Sequence, residues 1–145
     1  MVCLLTSLTV VGAESSDEAQ TKRFEAFTQQ LTKATLVGKF TVQGRGDGEG
    51  RAEEYAIESV TKMPNGDFWL FKARMKYGNR DVTLPMPLEV KWAGDTPVIT
   101  LSETTIPGLG TFSARVVIHG GQYAGIWKHG EFGGQMFGEI KRTED

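Results

Sequence analysis

The sequence predicts an all-β domain, an eight-stranded antiparallel up-and-down meander closing into a β-barrel and preceded by one N-terminal amphipathic α-helix. Three observations carry that expectation. Apolar residues alternate with period two along long stretches of the chain, the pattern of a sheet with one buried and one wet face. Glycine is in excess, at 18 of 145 residues against roughly 7% in an average protein, and it clusters between the alternating runs. No connection reaches the dozen or so residues that a parallel crossover needs, so neighbouring strands must be antiparallel.

The chain divides into residues 1–13, 14–35 and 36–145. Val2 to Val11 is apolar, uncharged and about ten residues long, too short for a bilayer span of roughly 20 residues. The small residue Ala13 and a polar switch at Glu14-Ser15-Ser16-Asp17 follow. The first thirteen residues therefore read as a secretory signal peptide, and the mature chain as exported, periplasmic or extracellular, with no membrane span. Cys3 is the single cysteine and lies within that run. The mature chain then has no disulfide, thiol nucleophile or Cys-ligated zinc.

Ser15-x-x-Glu18 matches a capping box, and Asp17 and Glu18 suit the positive end of a helix dipole. Phe24, Phe27 and Leu31 repeat at i, i+3 and i+7, predicting a helix from about Ser16 to Ala34 that plugs or flanks the core. Strands follow at about Leu36–Gly44, Ala52–Met63, Asp67–Gly78, Asp81–Ala93, Pro97–Ile106, Thr111–His119, Gln122–Lys128 and Gln135–Arg142. Pro85 and Pro87 cannot donate to a ladder, so their strand is expected to be interrupted, bulged or at an edge. Pro64-Asn65-Gly66 is a tight hairpin signal. Gly120 to Lys128 recurs as Gly133 to Lys141, an offset of one strand plus one turn that places Gly125 and Gly138 at equivalent positions.

A helix followed by eight sequentially joined strands resembles the calycin architecture of lipocalins, fatty-acid-binding proteins and avidins. The resemblance is one of topology and covers Leu36 to Arg142. Gly38-Lys39-Phe40 stands where lipocalins usually carry Gly-x-Trp. A glycine-rich loop follows the first strand where fatty-acid-binding proteins insert two helices. No family member's binding residues transfer to this chain.

Parity assigns the inner faces. Those of the second strand are Tyr55, Ile57, Ser59 and Thr61. A mostly apolar lining with a few hydroxyls is how ligand pockets are built. The candidate ligand-binding residues are Tyr55, Trp69, Phe71, Met75, Tyr77, Met86, Trp92, Tyr123 and Trp127. Gly125 and Gly138 share those faces, where they either leave room for a ligand or let the strands coil at barrel corners.

Chemistry is sparse elsewhere. His119 and His129 lie ten residues apart, about 33 Å along a strand, and two ligands do not make a zinc site. His129 reads as a solvated loop residue. Glu53-Glu54 and Glu139 form no paired-carboxylate case. Gly44 to Arg51 holds an Arg-Gly-Asp tripeptide and reads as a charge-balanced hairpin loop. Lys72, Arg74 and Lys76 form a basic stripe that Glu54, Glu58 and Lys62 face across the sheet. The net charge of −2 argues against a nucleic-acid partner or a polybasic membrane binder. No catalytic residue, metal site or cofactor is expected. The expected function is an exported, non-catalytic barrel holding a small apolar or amphipathic ligand. The alternatives are a packed-core module acting through its outer surface and, less favoured, an enzyme.

Overall fold

The structure, a computed structural model, describes residues 15–46 and 48–142. The segment read as a signal peptide and Asp47 of the Arg-Gly-Asp tripeptide lie outside the described residues. Helix α1 spans Ser16–Leu31 and is followed by β1 (Ala34–Phe40), β2 (Arg51–Lys62), β3 (Phe68–Tyr77) and β4 (Arg80–Ala93). Then come β5 (Thr96–Ile106), β6 (Gly110–His119), β7 (Gln122–His129) and β8 (Phe132–Arg142). All eight strands pair antiparallel in sequence order, and β1 pairs with β8 from Ala34↔Arg142 to Phe40↔Met136, closing the barrel. The calycin-like topology and the eight-stranded meander are thus the observed architecture.

The helix starts as expected. The Ser15 hydroxyl accepts from the Glu18 amide at 3.2 Å, and Asp17 and Glu18 occupy the first turn. It ends three residues earlier than the periodicity suggests, because Lys33 adopts φ 59° and turns the chain directly into β1. β1 in turn ends at Phe40 rather than Gly44, although the Thr41 and Gln43 amides still donate to Gln135 and Gly133 on β8. The β6–β7 hairpin uses Gly120 and Gly121, both at positive φ, the two-residue loop whose twist matches its strands.

The second strand carries the main correction. A bulge between Ile57 and Ser59 shifts its register against β3. Beyond it Val60, at 2% exposure, faces the core, opposite Phe71, while Thr61 faces out. Ser59 and Thr61 are therefore not inner-face residues. One inserted residue reverses every later side chain of a period-two strand.

Pro85 and Pro87 neither interrupt nor bulge β4, which pairs with β3 without a register shift from Arg80 to Glu89. The Val90 amide donates to Asp67 on the β3 side. Alternation along an antiparallel strand then points the Pro85 and Pro87 nitrogens the other way, toward β5. Register between β4 and β5 runs only from Glu89↔Thr100 to Ala93↔Thr96. The prolines sit on the stretch of β4 that β3 alone accompanies, which is the edge setting their missing donors require.

Phe24, Phe27 and Leu31 of α1 close one end of the barrel. Phe24 and Phe27 meet the Trp69 ring edge-on at 5.1 and 4.9 Å, and Phe27 meets Trp92 at 5.5 Å. On the outer wall Lys72 pairs with Glu58 at 3.1 Å and Arg74 with Asp81 at 2.8 Å. Glu54 stands opposite Lys76 in register.

Candidate functional site, a carboxylate inside the barrel

Burial is uneven among the inward-facing residues. At the helix end Leu31 and Val90 are 0% exposed, and Trp69 and Ile118 are 1%. At the opposite end inward-facing Tyr77, Val82, Leu84, Phe112 and Trp127 are only partly buried. Phe40 stands edge-on to Tyr77 and Trp127 there, at 6.4 and 6.1 Å, and the Trp127 indole donates to the Thr41 carbonyl. These residues, with the buried Phe40, Ile106 and Leu109, form the barrel mouth.

The candidate residues distribute over both ends. Trp69, Phe71, Met75, Met86 and Tyr123 are buried in the core, and Tyr55, Tyr77 and Trp92 pack against it. Trp92 is drawn to the helix, beneath the Arg23 guanidinium at 4.8 Å. Trp127 stands apart at the mouth. Trp69 is enclosed by α1, and its buried indole N–H has no polar partner.

Spacing did not single out Glu53. It is 4% exposed and is the buried charged residue among those described. Oε2 accepts from the Tyr55 hydroxyl at 2.6 Å and Oε1 from the Tyr123 hydroxyl at 2.9 Å. Burial pushes the Glu53 carboxyl above its ordinary value, while both tyrosine hydroxyls pull against that rise. Tyr55 is pushed well up by burial and by the adjoining carboxylate, and Tyr123 is raised for the same reasons. A desolvated carboxylate between two protonated phenols is a strong acceptor set in an apolar lining.

Two glycines make the Tyr123 bond possible. In register, Tyr123 on β7 faces Gly138 on β8, Gly138 faces Gly38 on β1, and Gly38 faces Glu53 on β2. The four residues form one cross-strand row, and the phenol lies along it. A Cβ on Gly38 would sit 2.4 Å from the Tyr123 oxygen, and one on Gly138 would sit 2.8 Å from its ring. The space that Gly138 vacates is filled by Tyr123. Gly125 differs in that the nearest atoms to a Cβ there are all β6 backbone, the Arg115 carbonyl at 2.0 Å first, with no tyrosine among them. It serves a close approach of β6 and β7, the corner role. Glu53 shares inner parity with Tyr55, and the glycines at inner positions opposite a tyrosine are the sequence signal that would have found it.

His129 is not a loop residue. It ends β7 and stacks edge-on against Phe112 at 4.2 Å. No group of three metal-ligating side chains occurs among the described residues. Two open depressions lie outside the barrel. One, of about 440 Å³, lies along β4 and β5 beside Arg115. The other, of about 400 Å³, lies between α1 and the β4–β5 turn. Neither contains the Glu53 cluster. No family model, curated protein or solved structure matches this chain.

Proposed function

We propose that this barrel takes up a small apolar or amphipathic molecule through the end opposite α1, without catalysis. The observation that carries the proposal is the partial exposure of inward-facing apolar residues at the end opposite α1. The helix end is sealed by Phe27, Leu31 and Trp69, whereas inward-facing Val82, Leu84, Phe112 and Trp127 keep solvent exposure at the mouth. A concave apolar rim with a few convergent polar groups is the usual form of a ligand site.

Titration with Nile red, a neutral apolar probe, tests this. Saturable binding near one probe per chain is expected, with loss on Leu84→Lys at the mouth. Absence of saturable binding to the folded wild type sinks the proposal. Export is part of the same reading, and it is supported by the apolar run before Ala13. Protein recovered from its own host should begin at Glu14, and a mature chain retaining residues 1–13 argues against it.

An interaction module has one observation in its favour. Val117, Ile126 and Phe137 are 41%, 65% and 46% exposed on the outer faces of β6, β7 and β8. They flank Ala124, which pairs with Val117 and Phe137. Ile126→Lys should shift the sedimentation profile if this face holds a partner.

A further inference from the structure

We infer that the barrel's ligand carries a protonated amine, or an equivalent cationic hydrogen-bond donor, that docks on the Glu53 carboxylate. The inference rests on the uptake proposed above and names the chemistry of the molecule taken up. Glu53 faces inward on β2, and its register partner on β3 is Tyr77, half-buried at the mouth. Glu53 therefore stands level with Tyr77 on the adjacent strand, with its carboxylate buried.

Its present partners are two neutral phenols, one on each oxygen. An ionised carboxylate accepts at about four lone-pair positions, so roughly two remain after Tyr55 and Tyr123 have donated. Both phenols sit far above neutral pH in their titration, so they stay donors and hold the carboxylate as an acceptor. Gly38 and Gly138 leave their place in the row to the Tyr123 phenol, which reaches the carboxylate along it. An anionic head would meet like charge in a low-dielectric wall, and a purely apolar molecule would desolvate Glu53 further without offering a donor. An ammonium group supplies both the opposite charge and the missing donors. The aromatic rim of Tyr55, Tyr77, Phe40 and Trp127 suits a cation and its alkyl chain.

The test compares octylammonium, octanol and octanoate as competitors of Nile red on the full chain at pH 7. Octylammonium should displace the probe at a concentration about tenfold or more below that of octanoate, with octanol between, because a charge-assisted bond is at stake. Glu53→Gln, checked for folding by circular dichroism, should bring octylammonium to the level of octanol. Equal displacement by all three overturns the amine assignment and leaves uptake standing. A preference for octylammonium that survives Glu53→Gln also overturns it, since that preference is then a surface effect. Failure of Nile red to bind overturns both proposals. Should Glu53→Gln not fold, Tyr55→Phe decides, because it opens one further acceptor position on the carboxylate. The octylammonium preference must then hold or strengthen, and its loss overturns the inference.

Discussion

The Tyr123 hydroxyl on β7 donates to Glu53 on β2 at 2.9 Å, passing over two intervening strands. A side-chain bond of this reach ties the two ends of the meander together on the inside of the barrel wall. Tyr123→Phe keeps the ring and removes only the donor. It should lower the unfolding free energy by about 1–3 kcal/mol, the usual effect of losing a bond to a buried charged group. Urea denaturation with an unchanged m-value is the measurement that checks it.

Gly138→Ala should be more damaging than its single methyl suggests. The new Cβ would meet the Val37 carbonyl at 2.3 Å and the Gly38 Cα at 2.6 Å, both backbone atoms that cannot step aside. A loss of about 2 kcal/mol or more is expected from such overpacking. Relieving the ring contact with Tyr123→Ala should not restore the stability, because the backbone clashes remain.

Acidity should reveal Glu53 through stability. Its folded pKa is raised by burial above the ordinary 4.5, so the folded state holds the proton more tightly than the unfolded chain does. The resulting stabilisation is full below that ordinary value and is lost as pH rises through the raised one. Tyr55, Tyr123 and Tyr77 surround the carboxyl and remain protonated across this window. Asp67 and Asp81 are lowered by Lys91 and Arg74 and act in the opposite sense, but they are common to wild type and variant. The stability of wild type relative to Glu53→Gln should therefore fall as pH rises from about 4.5. A difference that stays flat or climbs with pH contradicts the desolvation of this group.

Phe27→Ala should open the sealed end. Phe27 is 2% exposed and touches Trp69, Phe71 and Trp92. Emptying its place should cost about 3 kcal/mol or more and shift tryptophan emission to the red as water reaches Trp69. Glu25→Ala, on the exposed face of the same helix, should change neither quantity.

Much of this architecture was legible in the alternation of β3 and β4, where Trp69, Phe71, Ala73 and Met75 all face the core as their parity demands. Ser15 and the glycine-marked turns were equally readable, because each has a local cause. The bulge at Ile57 and Ser59 was not, since no glycine or proline marks it and its cause is the pairing with β3. Glu53 is not legible locally, because nothing in the Glu53-Glu54 pair itself marks one carboxylate as buried. Its burial depends on a tyrosine seventy positions along the chain, reached across two glycines that share no local pattern with it. The setting of His129 is likewise not local, being supplied by Phe112 on the adjacent strand.

The short register between β4 and β5 has a consequence for how copies of this protein coexist at high concentration. A strand accompanied on one side only offers its free edge as a template for another chain. Along that edge of β4 the donors that an incoming strand would seek are missing at Pro85 and Pro87, two alternate positions in a row. A foreign strand laid there would find its ladder broken at consecutive rungs. Two prolines on alternate positions thus leave this edge of β4 a poor template for another chain.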